Sequence, residues 1–328
     1  MRTIVALALL LGGCKSDQNV VELTGSDTWY QEPTNQVDIL WVVDNSHSMQ
    51  PHQDNVAEGF AQFIEEIEFT DTDFRLGVIT TSFDYDDPDR GKLIGDPPVI
   101  TRDDDYLNLF RDRVHVGTGG SDKEKGLEAT AYALSATMTT GANAGFLRED
   151  AFLLIVFVSD ENDCSDDGAL NNMSAEACYD NDELLVPVTE FVFALTDLKD
   201  DPSMIQIGAI VGPEVSEGCL DAKPGFRYFD VAALMGGVVG NICSTEYDSI
   251  MYDLGLNATG VRSTFQLSDP AKEGTLEVFV NEIIVNEDPT QINGWTYDYD
   301  TNYLTFWGDS VPERGSTITV NYTIQSGG

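Results

Sequence analysis

Val37-Asp38-Ile39-Leu40-Trp41-Val42-Val43-Asp44-Asn45-Ser46-His47-Ser48 is the stretch on which the reading of the chain turns. Its first half is an almost unbroken apolar run. That is the signature of a parallel strand buried on both faces, since such strands are continuously hydrophobic rather than alternating. Its second half presents one carboxylate and two hydroxyls, Asp44, Ser46 and Ser48, where the strand gives way to a helix. Ligands of open α/β sheets bind outside the carboxyl ends of the strands. Hard oxygens gathered there suit a divalent cation such as Mg²⁺.

Working outward, strands and helices alternate. A helix over Asp54 to Glu68 places Val56, Phe60, Phe63, Ile64 and Ile67 on one face. Phe74 to Thr80, Phe152 to Val158, Ile205 to Val211 and Val261 to Leu267 read as further strands, with a brief one at Val114 to Val116. Helices are expected at Tyr106 to Phe110, along the stripe Leu127, Thr130, Ala131, Leu134 and Met138, at Leu184 to Leu198, and at Tyr247 to Leu254. Ser82 to Asp105 is an Asp-, Pro- and Gly-rich surface excursion. The alternation predicts an α/β domain over residues 37–267: a doubly wound, mostly parallel sheet with helices on both faces. After Pro270 the period becomes two. Thr275 to Val280, Glu282 to Val285, Trp295 to Tyr299, Tyr303 to Trp307 and Thr317 to Ile324 are separated by turn residues such as Asn293-Gly294 and Arg314-Gly315. This predicts a small C-terminal antiparallel β domain over residues 268–328.

The chain has 328 residues, with 17 Lys plus Arg against 57 Asp plus Glu, a formal charge of −40. Such a balance excludes generic nucleic-acid binding through a basic surface, and argues against adsorption onto anionic headgroups. The acids are spread along the whole chain, so solubility accounts for most of them. Arg2, the apolar Ile4 to Leu11 and then Leu11-Gly12-Gly13-Cys14 resemble a bacterial lipoprotein signal, in which the Cys becomes the lipidated N-terminus. The apolar run is too short to span a bilayer. That resemblance makes residues 1–13 a signal peptide and 14–36 a polar, lipidated tether in the cell envelope. Lys15 after the Cys favours the outer membrane by the enterobacterial sorting pattern. Cys164, Cys178, Cys219 and Cys243 remain. Export favours disulfides. Of three connectivities, Cys164–Cys178 with Cys219–Cys243 is preferred because each closes a local loop. The alternative is a structural zinc site, but the spacings are not those of a zinc knuckle and no His lies near.

The Asp-x-Ser-x-Ser pattern after the first strand resembles the von Willebrand factor A (vWA) family, whose metal-ion-dependent adhesion site begins this way. The resemblance covers about Val37 to Leu267 and implies two further loops. The second normally supplies a Thr six residues ahead of an aliphatic position; here Ser121 precedes Leu127 by six, a hydroxyl in place of the usual Thr, with Thr118 a lesser substitute. The third supplies an Asp after the fourth strand; Val158-Ser159-Asp160-Glu161 matches, with Glu where Gly is usual. The implied ligands are therefore Asp44, Ser46, Ser48, Ser121 and Asp160, holding Mg²⁺, or Ca²⁺ or Mn²⁺. Three neutral hydroxyls and two carboxylates leave the ion electrophilic, with one position open for an Asp or Glu of a protein partner. Helix capping by Asp44 and Ser46 is the plain alternative, and it does not account for all three loops.

Other residues carry structural readings first. His47 is an exposed loop residue. Asp103-Asp104-Asp105 is a solvated charge run, and Glu161, Asp163, Asp166 and Asp167 leave a second cation site open. Trp295, Tyr297, Tyr299, Tyr303 and Trp307 favour a β core over a glycan-binding surface. The function expected is a surface-anchored binding or adhesion lipoprotein, not an enzyme. A structural envelope component acting through its β domain, or a metal-assisted hydrolase, is the alternative. His47, His52 and His115 fall in no nucleophile-and-base motif.

Overall fold

A computed structural model of the chain describes residues 23–325, apart from 32–34, 70–71, 86, 172, 216–218, 220–221, 245–246, 260 and 300. The signal segment and Cys14 lie outside the described residues. Along the chain come β1 (Thr24–Tyr30), β2 (Gln36–Val43), α1 (Gln50–Phe69), β3 (Asp73–Thr80), β4 (Ile100–Thr101) and α2 (Tyr106–Val114). Then follow α3 (Gly126–Ala133), α4 (Ala136–Thr139), β5 (Phe152–Ser159), α5 (Ala177–Asp180), α6 (Val188–Thr196) and β6 (Ile205–Val211). Next are α7 (Phe226–Leu234), β7 (Val238–Asn241), α8 (Asp248–Ala258) and β8 (Thr264–Gln266). The chain closes with β9 (Glu277–Val280), β10 (Ile283–Val285), β11 (Gly294–Asp298), β12 (Tyr303–Trp307) and β13 (Thr317–Thr323).

The central sheet has the order β4-β3-β2-β5-β6-β7. β2 pairs in parallel with β3 on one side and with β5 on the other. Side chains alternate across a strand, so β2 serves two cores. Val37, Ile39, Trp41 and Val43 pack with Phe60 and Phe63 of α1, Phe110 of α2 and Met251 of α8. Leu40 and Val42 pack with Leu127 of α3, Phe191 of α6 and Tyr228 of α7. Trp41 meets Phe63 and Phe110 edge-on, with ring centroids 5.4 and 5.1 Å apart. Asp38 is buried inside the apolar run. The Arg148 backbone N–H and Nε supply its hydrogen bonds at 2.6 and 2.8 Å.

The fold class expected from the sequence, a doubly wound vWA- or Rossmann-like sheet with a C-terminal β domain appended, is corrected. The central sheet is mixed, because β4 runs antiparallel to β3 at its edge. Two separate antiparallel sheets, β1-β13-β9-β10 and β11-β12-β8, stand beside it. These draw on both ends of the chain. Thr24–Tyr30, read as tether, is a full strand paired along β13 from Thr24↔Thr323 to Tyr30↔Thr317. Val261 to Leu267, read as the last strand of the central domain, contributes β8 to the sheet of β11 and β12. Local pattern reports that a segment is extended. It does not report which sheet receives it, since that choice rests on partners remote in sequence.

Smaller differences have local causes. The stripe ending at Met138 breaks into α3 and α4, with Ser135 in an extended conformation between them. Val114 to Val116 forms no strand; α2 runs through Val114 instead. The sequence reading missed α7 and the four-residue β7. Trp295 and Tyr297 do enter a core, with Phe265, Leu304, Phe306 and Ile318. Tyr299 is exposed, and the Trp307 indole donates to Thr296 Oγ1 at 2.9 Å. Both local disulfides are present, Cys164–Cys178 and Cys219–Cys243, with Cα atoms 5.4 and 5.5 Å apart. Among the described residues, no helix is long and apolar enough to cross a membrane.

Candidate metal centre

Parallel pairing brings the carboxyl ends of β2 and β5 side by side, and Asp44 and Asp160 follow those ends directly. The Asp44 N–H donates to Val158 O at 2.9 Å, which continues the ladder one residue past the strand. Asp44 is fully buried, and both its oxygens are occupied: Oδ1 accepts from Ser46 N–H at 2.7 Å and Oδ2 from the Ser159 hydroxyl at 2.6 Å. Its carbonyl accepts from Gln53 Nε2 at 2.9 Å, and the same amide reaches Gly117 O at 2.9 Å. Gln53, a residue of α1, thereby fixes the first loop to the second. The Ser46 and Ser48 hydroxyls are 3.4 Å apart, Ser46 buried and Ser48 exposed. His47 between them faces solvent.

Asp160 is also fully buried, yet neither of its oxygens has a hydrogen-bond partner among the described residues. An isolated buried carboxylate is costly. Burial raises the Asp160 pKa, opposed by the nearby Ser48 hydroxyl, although the two make no hydrogen bond of ordinary geometry, and by the charge of His52. Burial likewise raises Asp44, and the Asp160 charge adds to it. His52 lies one helical turn beyond Ser48 and is itself buried, with Nδ1 unpartnered.

The loop before α3 docks against the first loop. Gly120 N–H donates to Asn45 O at 2.8 Å, Ser82 Oγ donates to Asn45 Oδ1 at 2.8 Å, and Ser121 N–H donates to Ser82 Oγ at 2.9 Å. A Cβ on Gly120 would stand 2.2 Å from Asn45 Oδ1, so any larger residue there displaces the Asn45 amide. Ser121 is thus carried to the same sheet edge. Its hydroxyl accepts from Lys123 N–H at 3.2 Å, and among the described residues no hydrogen bond joins it to Asp44, Ser46, Ser48 or Asp160. Thr118 is half-buried on the same loop.

Sequence reasoning missed Glu124. It is 1% exposed; Thr81 Oγ1 donates to its Oε2, while Oε1 has no partner. Burial and then the Asp44 charge raise its pKa well above the ordinary range. Its burial next to Asp44 depends on how β3 and the α3 loop meet, and the local sequence Asp122-Lys123-Glu124-Lys125 looks like any solvated charge run.

The other acids have structural employment. Asp163 accepts from Leu127 N–H at the start of α3 at 2.9 Å and pairs with Arg227 Nε at 2.9 Å. Asp166 pairs with Lys125 and accepts from Leu170 N–H at 2.7 Å. Glu161 pairs with Lys223 at 3.2 Å. Asp104 accepts from Thr101 N–H and Oγ1, both at 2.8 Å. Among the described residues, no three His, Cys, Asp or Glu side chains gather as a metal-ligand set. The second cation site left open by the sequence therefore has no support.

No family model matches the chain, and no curated protein matches its sequence. Among solved structures, the pilus adhesin SpaC from Lactobacillus rhamnosus GG is similar at 11% identity over 92% of this chain and 41% of its own, with a TM-score of 0.40. Proximal thread matrix protein 1 of the mussel byssus is 14% identical over 73% of this chain and 51% of its own, TM-score 0.38. The pilus adhesin RrgA from Streptococcus pneumoniae is 10% identical over 92% and 58%, TM-score 0.37. The chain spans about half the length of these proteins. Likenesses this slight define neither a fold nor a function.

Proposed function

We propose that this chain is a binding module that holds a divalent cation at the carboxyl ends of β2 and β5 and uses it to capture an acidic side chain of a protein partner. One observation carries the reading: Asp160 is fully buried with both oxygens unpartnered, beside Asp44 and the Ser46-x-Ser48 hydroxyls. A hard cation offsets that unpaired charge. Ser46, Ser48 and Asp160 would hold it directly. Asp44 would act mainly through water, because Ser46 N–H and the Ser159 hydroxyl already occupy its oxygens. Ser121 would contribute from the docked second loop. Mg²⁺ fits this oxygen set, and Mn²⁺ or Ca²⁺ would substitute. The bound ion would supply a Lewis-acidic site for a partner carboxylate. The role is adhesion at the cell envelope, with Cys14 as the lipid attachment.

The test is titration calorimetry of the purified chain and its Asp160→Ala variant with Mg²⁺ and Mn²⁺, followed by retention of acetate-bearing and acetamide-bearing beads with cation or chelator. Cation binding lost in the variant, with cation-dependent preference for the carboxylate beads, supports the reading. Native protein that binds neither ion overturns it.

A further inference from the structure

Glu161 immediately follows Asp160 and brings a further carboxylate to the same loop. A site built to receive a partner's carboxylate has to keep the chain's own one out. The Glu161 backbone is close to the site. Its N–H donates to Ser159 Oγ at 3.1 Å, and the same hydroxyl donates to Asp44 Oδ2 at 2.6 Å. A single hydroxyl oxygen therefore separates the Glu161 backbone from the Asp44 carboxylate, a gap that a glutamate side chain can span. Left unengaged, that carboxylate is a ready ligand for a hard cation.

Both of its oxygens are engaged elsewhere. Lys223 Nζ donates to Oε1 at 3.2 Å, and the Tyr179 hydroxyl donates to Oε2 at 3.1 Å. The two partners also meet each other, with Lys223 Nζ 4.7 Å from the centroid of the Tyr179 ring, a cation–π contact. They come from separate loops, and each is fixed. Tyr179 follows Cys178, whose bridge to Cys164 ties α5 to the segment after Asp160. Its hydroxyl also accepts from Asn162 N–H at 3.4 Å. Lys223 N–H donates to Asp160 O at 2.8 Å. A Cβ on Gly212 would stand 2.0 Å from Lys223 O, so the Lys223 backbone lies hard against the chain leaving β6. Cys219, earlier in the same loop, is bridged to Cys243. Two stapled loops thus converge on the carboxylate of Glu161.

We infer that Lys223 and Tyr179 are positioning residues that hold the Glu161 carboxylate off the cation's open position, and so keep that position for the carboxylate of a partner. This rests on the cation reading above. Released, Glu161 would close onto the ion as an internal ligand. A carboxylate tethered this closely competes at an effective concentration on the order of millimolar or higher. A dilute partner loses that competition. The internal ligand would also add an anionic oxygen to the ion, so the change that excludes the partner should tighten the cation. Loss of a direct partner contact, or a weakened fold, would not move the two affinities in opposite directions.

The experiment compares the purified chain with a double variant, Lys223→Met with Tyr179→Phe, and with a triple variant that adds Glu161→Gln. Lys223 and Tyr179 are both exposed, so the fold should persist, and circular dichroism checks it. Calorimetry reads Mn²⁺ affinity, and acetate-bearing against acetamide-bearing beads read carboxylate capture. In the double variant Mn²⁺ should bind about tenfold tighter, as an added charged ligand implies, while retention on the acetate beads falls to the acetamide background. The triple variant should return both readings to the native values, because Gln keeps the shape of Glu161 and removes the competing carboxylate. A double variant that matches the native chain in both readings overturns the inference. So does a triple variant that fails to recover retention, which would make Lys223 and Tyr179 contacts of the partner or of the fold. Native protein that binds no cation removes the underlying reading, and the inference with it.

Discussion

The Ser159 hydroxyl donates to Asp44 Oδ2 at 2.6 Å, tying the last residue of β5 to the residue that follows β2. The Glu161 N–H donates back to Ser159 Oγ at 3.1 Å, which orients the hydroxyl toward Asp44. Ser159 belongs to no proposed ligand set, yet it decides where the Asp44 carboxylate points. Ser159→Ala should keep the fold and weaken Mg²⁺ binding by about tenfold. Calorimetry beside circular dichroism checks this, and an unchanged affinity would show that Asp44 needs no such guide.

Arg148 and Asp38 supply a prediction about pH. Burial raises the Asp38 pKa, and the bonds and charge of Arg148 only partly reverse the rise. A raised folded-state value means that protonation favours the folded chain. This contribution is full below the ordinary Asp value of 3.8 and is lost as pH rises through the folded value. Arg148→Met leaves the buried carboxylate without its ion partner, at a cost of about 3–5 kcal/mol at neutral pH. The deficit should shrink on acidification, as Asp38 protonates. Urea denaturation of both proteins across that range would read the difference, and a pH-independent deficit would point to lost packing instead.

Removing the Cys164–Cys178 bridge should act at two places. The bridge spans 14 residues, so its loss costs about 3 kcal/mol by loop-closure entropy. Cys164 N–H also holds Glu124 O, so without the bridge the loop before α3 should exchange its amide protons faster as well as the chain melting earlier. Removing Cys219–Cys243 should lower stability in the same way. Its nearest bond to the site is one strand further off, through Lys223 N–H to Asp160 O at 2.8 Å.

Trp29 of β1 packs on Phe265 of β8, with centroids 5.3 Å apart. It is half-buried, so Trp29→Ala should cost about 2 kcal/mol of apolar burial. The loss belongs to the antiparallel sheets, and cation affinity should stay at the native value. A fall in affinity would mean that the two ends of the molecule are coupled.

How much of this was legible beforehand varies by residue. β2, β3, β5 and β6 were readable because a strand buried on both faces must be apolar at nearly every position, whatever surrounds it. The face of α1 was readable from Val56, Phe60, Phe63 and Ile67, and all four are buried. The positions of Asp44 and Asp160 followed from the strand ends that precede them. The role of Thr24–Tyr30 was not readable: a short polar strand with Gly25 and Ser26 looks like a linker until Thr317–Thr323 is placed beside it. The mixed character of the central sheet was hidden too, since β4 is two residues within a loop.

Sequence by itself determined the central strands β2, β3, β5 and β6 and the long helix α1, where the hydroxyls and carboxylates of the first loop fall, and which cysteines lie close enough along the chain to close short loops. Hydrophobic period and local spacing carry that information. Only the tertiary structure decided that the segment read as tether becomes β1, that β8 leaves the central sheet, that Asp163 and Asp166 serve Arg227 and Lys125, and that Glu124 is buried with Thr81 on its carboxylate. Each of those facts is a choice of partner, made by packing between segments remote in sequence, and no local period encodes it.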